Sequence, residues 1–323
     1  MAAVMLVGVV TTLLIQEPEH KVKESAYANR DYLMFVAVFG ASVAALIAVF
    51  WWMPDTPVVF EGGGQTLFKF GYGTFTLCLA LGAAFIVAKV SSHAGLVNQA
   101  MVNESYREPV LDFFHRYGRL AVWLLLLILF YRISDIVLGV IANVFYQDMG
   151  YSKVQIGTMS KAYGMIVSIF GSFMSGLIAL RIGVLRTLQA AAVLVVATNL
   201  LFLWLTSVGQ NHTEVALWLP LLGDMNFPFE LAVVIAFDNF AQGFSTVAFI
   251  AWMSSLTNIS FTATQYAIFS SIMTLFPKII GGYSGTIVDA FGYNTFFLFA
   301  SALGLPVIAL IYFLRNRLHS NDA

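Results

Sequence analysis

Apolar residues in this chain gather in long uninterrupted runs separated by short polar stretches, at about 1–15, 32–53, 70–90, 118–146, 155–180, 184–206, 229–254, 261–288 and 293–314. A helix needs about 20 apolar residues to cross the hydrocarbon core of a bilayer, and eight of the nine runs reach that length. The strands of a transmembrane barrel alternate apolar and polar residues. The run "LAVWLLLLILF" beginning at Leu120 does not alternate. The pattern predicts an all-α, polytopic helical membrane protein.

Composition agrees. Of 323 residues, 59% are hydrophobic and 10% charged, with a mean hydropathy of +0.83. Soluble domains carry about 25% charged residues, so water is not the main solvent of this chain. A net charge of −1 argues against bulk attraction to nucleic acid, and a single cysteine, Cys78, excludes an internal disulfide framework. The five histidines fall in loops or near span ends, and no histidine or cysteine cluster has metal-ligand spacing. Neither a metal nor another cofactor is expected.

Lysine and arginine set the expected orientation. One set of loops holds Lys21, Lys23, Arg30, Arg107, Arg116, Arg119, Arg181, Arg186, Arg315 and Arg317; the other holds only Lys69 and Lys153. The positive-inside bias predicts a cytoplasmic C-terminus. Nine crossings would then put Met1 outside, yet residues 1–15 reach only about 22 Å at ~1.5 Å per residue. No basic n-region or A-x-A site precedes "QEPEHK", which argues against a signal peptide. The expectation is a helix whose beginning is missing, and hence a C-terminal portion of a longer protein.

The spans group as one, two and six. The expected plan is the end of a preceding helix (1–15), a cytoplasmic linker (16–31), two additional helices (32–90), and a second linker (91–117). A six-helix unit (118–314) and a cytoplasmic tail (315–323) follow. Within the second linker, "ESYREPVLDFFHRYGR" (104–119) puts Val110, Leu111, Phe113, Phe114 and Tyr117 near one face, as in an interfacial helix. Inside the six-helix unit, 175–183 and 284–292 both read S-G-x-I-x4-G, three segments apart. Three-helix repeats within a six-helix half, inverted because three is odd, are the pattern of major facilitator transporters.

Five ionisable side chains lie within predicted spans, where each costs about 2.5–3.5 kcal/mol on insertion scales. Arg132 and Asp135 in "YRISD" are three residues apart and share a helical face. They form either a self-neutralising pair or a substrate and proton site. Lys161 in "MSKAYG" lies about 9 Å from a span end, within reach of the interface by snorkelling. The small residues Gly164, Ser168, Ser172 and Ser175 continue its face. Asp238 heads a stripe with Gln242 and Ser245, flanked by Asn239 and Gly243. That stripe is either a hydrogen-bonded helix contact or a cavity wall. Lys278 follows Pro277 in "LFPKIIGG", where a proline is expected to interrupt the helix. Three cations against two acids suit an anionic substrate.

These residues carry a resemblance. "DNFAQGFSTVAFIAWMSSLTNISFTATQYAIFSS" resembles the tenth and eleventh helices of AmpG-type muropeptide permeases, most specifically at 261–267, which includes Gln265. "YRISD" is similar to that family's Y-K-x-x-D, and "MSKAYG" to its x-N-K-x-x-G. Asp238 stands where the family has glutamate, and Lys278 where it often has arginine, which loses bidentate carboxylate binding. The resemblance implies a major facilitator-type six-helix C-terminal half, with two extra helices inserted between halves. It also implies proton-driven import of N-acetylglucosaminyl-anhydromuramyl peptides across the bacterial inner membrane. That activity serves peptidoglycan recycling and, in some bacteria, β-lactamase induction. Arg132, Asp135, Lys161, Asp238, Asn239, Gln242, Gln265 and Lys278 would line the substrate and proton pathway. The proton gradient would stand in place of a cofactor. The expected partners are an anionic sugar-peptide, the lipid bilayer and the missing N-terminal six-helix half, and the completed protein would be a monomer. The alternatives are a permease for another bulky anion, such as acetyl-CoA or a siderophore, and a non-transporting remnant of a split gene. A membrane enzyme would show acids or histidines beside a large hydrophilic loop, and neither 91–117 nor 207–228 offers them.

Overall fold

The computed structural model describes residues 27–60, 63–208, 213–219 and 223–321. The predicted segment 1–15 and most of the linker 16–31 lie outside them. Among the described residues the regular structure is helical apart from one small hairpin, β1 (Glu214–Leu219) paired antiparallel with β2 (Gly223–Pro228), inside the region predicted as a loop.

Two long helices come first, α1 (Asn29–Trp52) and α2 (Gly63–His93). They pack on each other, and α1 buries no residue. Next come α3 (Gln99–Val102), a π-helical turn (Asn103–Arg107) and α4 (Glu108–Tyr117). The positive φ of Gly118, +51°, ends α4.

The bundle proper follows. Its elements are α5 (Leu120–Phe130) and α6 (Ile133–Asp148), then α7 (Lys153–Gly157) with a π turn (Thr158–Tyr163) and α8 (Gly164–Ile182). Then come α9 (Val184–Val208), α10 (Phe229–Leu256), α11 (Thr262–Gly281) and α12 (Ser284–Asn321). Among the described residues, seven helical stretches are long and apolar enough to cross a membrane. They are Asn29–Trp52, Phe68–His93, Leu120–Asp148, Lys153–Ile182, Val184–Val208, Phe229–Leu256 and Ser284–Arg317. The predicted span 261–288 is not among them. Its first part, α11, is long enough at 20 residues, but its threonines, serines and Gln265 dilute its apolar content. It packs against α5 and α6 inside the bundle.

Pro277 does not break α11, which stays helical to Gly281; the chain turns at 282–283 instead. A second break within α12 is at Gly292, whose φ of 75° and ψ of 169° are non-helical. Gly183, between α8 and α9, has nearly the same geometry, φ 86° and ψ 158°. These are the last glycines of the two S-G-x-I-x4-G stretches. A positive φ with extended ψ is a conformation essentially reserved for glycine, which explains the residue type at both corners. The serines that open the two stretches, Ser175 and Ser284, are both fully buried, and Ser284 Oγ donates to the Val137 carbonyl at 3.0 Å.

Small residues set how closely α8 and α10 approach. A methyl group on Gly243 would collide with the Ser168 carbonyl oxygen, and one on Gly171 with that of Phe240. Ser172 Oγ bonds the Ser168 and Gly243 carbonyls at 2.8 and 3.2 Å. The small-residue face of 164–175 is therefore a packing surface of the kind helices use where lipid supplies no hydrophobic drive.

The interfacial stretch forms α4 as expected, but not with all its charges turned away. Phe113 and Pro109 are buried, while Val110, Leu111 and Phe114 remain exposed. Asp112 and Arg116 turn inward onto the loop between α10 and α11. Gln265 joins them there. Its amide nitrogen donates to the Pro109 carbonyl (2.8 Å) and Asp112 Oδ2 (3.0 Å). Its amide oxygen accepts from the Asn258 backbone N–H (2.7 Å) and an Arg116 guanidinium nitrogen (3.1 Å). Arg116 Nε also pairs with Asp112 at 2.9 Å, and Asn258 Nδ2 donates to Asp112 Oδ1 at 2.9 Å.

Candidate functional site

Two apolar clusters fill the bundle. One contains Leu124, Leu127 and Ile128 of α5, Leu188 and Ala191 of α9, Phe244 and Ala248 of α10, and Val307 and Ile311 of α12. The other contains Ile133 and Val137 of α6, Phe202 of α9, Leu231, Val234 and Ile235 of α10, and Phe296 and Ala300 of α12. On each element the chain passes from one cluster to the other within a few residues. Those crossing points carry the buried polar groups: Ser134 and Asp135, Asn199, Asp238, and Ser301. The result is a polar layer at mid-height between two apolar ones.

Arg132 lies where α5 gives way to α6, with φ −93° and ψ 6° outside the helical range. The break gives its side chain reach in two directions. One terminal nitrogen is 3.1 Å from Asp135 Oδ2, and the other donates to Thr246 Oγ1 of α10 at 2.9 Å. The Asp135 side chain is 5% exposed and that of Arg132 22%. The carboxylate is therefore the sealed partner, and the arginine side chain the less buried of the two. Around them, Ser245 Oγ donates to Tyr131 Oη (3.1 Å), Ser134 Oγ to the Ala300 carbonyl (2.6 Å), and Asn199 Nδ2 to Ser134 Oγ (2.6 Å). A small internal cavity lies against Tyr131, Ser134, Asp135, Ser245 and Gly304.

Asp238 is also buried, and Gln242 Nε2 donates to its Oδ2 at 2.8 Å across one helical turn. Asn239 bonds the Ile235 carbonyl of its own helix at 2.9 Å and presses on Gly164, where an added Cβ would sit 2.9 Å from its amide nitrogen. Asp238 stands about two helical turns before Thr246, the α10 residue that Arg132 reaches, so both acids adjoin the α6–α10 contact. Lys161, in the π turn, and Lys278, one residue past Pro277, are both exposed. Among the described residues neither is in an ion pair.

The eight sequence candidates therefore separate. Arg132, Asp135, Asp238 and Gln242 belong to the polar layer, and Asn239 adjoins it at the α8 contact. Lys161 and Lys278 stand on the surface of the bundle. Gln265 is placed with α4 and is only 1% exposed. Thr246, Tyr131, Ser134 and Asn199 belong to the layer without having been singled out. Tyr131 and Ser134 stand inside the "YRISD" stretch already quoted, and an asparagine in the apolar run of α9 is a signal that would have found Asn199. Among the described residues, no group of three or more His, Cys, Asp or Glu side chains is placed to hold a metal ion.

No family model matches the chain. Individual proteins do. AmpG 4 of Rickettsia conorii is 31% identical over 212 residues, 65% of this chain and 47% of that protein. The anhydromuropeptide permease of Escherichia coli K12 is 29% identical over 212 residues, 65% of this chain and 39% of that protein. An uncharacterized protein of Haemophilus influenzae is 32% identical over 217 residues, 66% of this chain and 48% of that protein. The chain thus spans about half the length, or less, of these curated relatives. Over about 65% of its own length, it is homologous to proteins named AmpG transporter and anhydromuropeptide permease.

Proposed function

We propose that the polar layer of α6, α9, α10 and α12 is one wall of the pathway in a proton-coupled importer. The cargo is N-acetylglucosaminyl-anhydromuramyl peptides, carried across the bacterial inner membrane for peptidoglycan recycling. On this reading α5–α12 form the C-terminal six-helix half of a major facilitator-type transporter, α1 and α2 are an accessory pair, and the C-terminus faces the cytoplasm. A six-helix N-terminal half supplies the facing wall, and the completed protein acts as a monomer. Such a machine moves its cargo without covalent chemistry.

The observation that carries the proposal is the Arg132–Asp135 pair, held at mid-height with one partner sealed and the other partly open. Arginine presents a planar fork that matches a carboxylate. A peptide carboxylate arriving at Arg132 competes with Asp135 for it. A buried carboxylate that loses its cation is costly, and taking up a proton relieves that cost. Substrate binding and proton uptake are linked in this way through one side chain. Asp238, in the same region, is a second station for the proton.

The test is uptake of labelled anhydro-muropeptide into proteoliposomes by the protein completed with an N-terminal half. Asp135→Asn and Asp238→Asn are each expected to lower proton-driven uptake by about tenfold or more, within the ordinary range of linkage between two sites. Unchanged, proton-dependent uptake in both variants would remove these roles. Competition by unlabelled muropeptide, against competition by other bulky anions, decides the cargo.

A further inference from the structure

A cleft of about 760 Å³ opens between α1, α2 and the α3–π-turn segment, away from the polar layer. The antiparallel course of α1 and α2 grades it along its length. Its deeper wall is apolar, from Val38 and Phe39 on α1 and Phe85 on α2. Towards the C-terminal end of α2 come Lys89 and His93, one helical turn apart, and across from them Arg107 of the π turn. Phe35 stacks on Tyr106 with centroids 5.8 Å apart, tying α1 to that turn.

The charge at this end is of one sign. Among the described residues, Lys89, His93 and Arg107 make no ion pair. His93 Nδ1 is 2.9 Å from the Lys89 carbonyl, which orients its ring. Glu104, three residues before Arg107, is turned to a separate recess, where it accepts from Tyr27 Oη at 2.9 Å. Neither Glu104 nor Glu108 lines the cleft.

We propose that this cleft holds one anionic phospholipid of the surrounding bilayer, its acyl chains against Phe39 and Phe85 and its phosphate between Lys89, His93 and Arg107. Basic pockets between transmembrane helices recognise acidic headgroups in this manner. The apolar wall selects a lipid over a soluble phosphate. Because α1 buries no residue, the wall it supplies is open along its side, and on this proposal an acyl chain enters there.

The experiment is native mass spectrometry of the full chain released from detergent, with phosphatidylglycerol or phosphatidylcholine added at equal concentration. Preferential retention of phosphatidylglycerol is expected. In the double variant Lys89→Gln/Arg107→Gln the preference should fall by about fivefold for each charge removed. Ser42→Trp, which fills the apolar wall and leaves the charges, should reduce retention of both lipids and decides the matter if the double variant fails to fold. Equal retention of the two lipids by the unaltered chain would overturn the proposal, as would an unchanged preference in the double variant. Displacement of the lipid by millimolar glycerol 3-phosphate would instead make the site one for a soluble anion, and would also overturn it.

Discussion

Gly243→Ala is expected to break the contact between α8 and α10 and destabilise the whole bundle. The added methyl would be driven into the Ser168 carbonyl oxygen, a backbone atom in the middle of a helix that cannot rotate aside. Relief requires separating the two helices, which also disturbs the Ser172 bond to the Gly243 carbonyl and the packing of Asn239 on Gly164. Overpacking a well-filled core costs about 1–3 kcal/mol and occasionally more; a backbone clash at the closest point of a crossing belongs at the upper end. The measurement is thermal unfolding in detergent by circular dichroism, together with the monodisperse fraction after extraction. Gly176→Ala, on α8 with nothing within 4 Å of the added atom, is the control. It should be neutral or stabilise by roughly 0.5–1 kcal/mol, as alanine does in place of a helical glycine. Equal behaviour of the two variants would mean that the crossing is not as close as described.

Gln265→Leu is expected to release α4 from the bundle. The amide, on a residue only 1% exposed, makes four hydrogen bonds, and leucine makes none. The Pro109 carbonyl and the Asn258 N–H would be left without that partner, at about 1–3 kcal/mol for each buried group so stranded. Hydrogen exchange of the 108–117 amides reads the release directly, while α8 and α9, which make no contact with the amide, should exchange as before. Acid should produce the same release in the unaltered chain. Burial pushes the Asp112 carboxyl up, but the hydrogen bonds from Asn258, Gln265 and Arg116 and the charge of Arg116 outweigh it and hold the group below the usual carboxylate range. A lowered folded-state value contributes stability that is present above the unfolded value, about 3.9, and is lost as pH falls through the folded one. Protection of α4 should therefore persist from neutral pH to below about 3.9 and then fall. Asp112→Asn should show the same exchange throughout, because its amide cannot accept from Gln265 and Arg116 as the carboxylate does. Protection that begins to fail well above the usual carboxylate range would contradict this account.

The long helices were legible because a bilayer imposes length and apolarity together: residues 70–90, 184–206 and 229–254 each fall within a helix of the structure, and 32–53 overruns one by a single residue. What escaped was local. The helix over 261–288 turns at 282–283 rather than at Pro277, since a missing donor within a helix can be absorbed by its neighbours where packing holds it straight. The hairpin at 214–228 has too short a pattern to stand out from a loop. At the site, Arg132, Asp135, Asp238 and Gln242 were visible as polar exceptions in apolar runs. Their helical spacing could not show which partner each would take, because Thr246 and Asn199 come from other helices. Gln265 illustrates the limit best. A buried glutamine in a recognisable stretch reads equally as a pathway residue or as the tie of an interfacial helix, and only the fold places Pro109 and Asp112 beside it.

The bareness of α1 has a consequence for how such chains diverge. A helix with no buried residue is judged by selection almost solely for its length and oiliness. Leucine, valine, alanine and phenylalanine become near-synonyms over most of its surface, so its letters drift freely while its physical character stands still. Identity between distant relatives should fade there first and persist longest at crossings such as Gly243 against Ser168. Kinship in this part of the chain is better traced by hydropathy than by spelling.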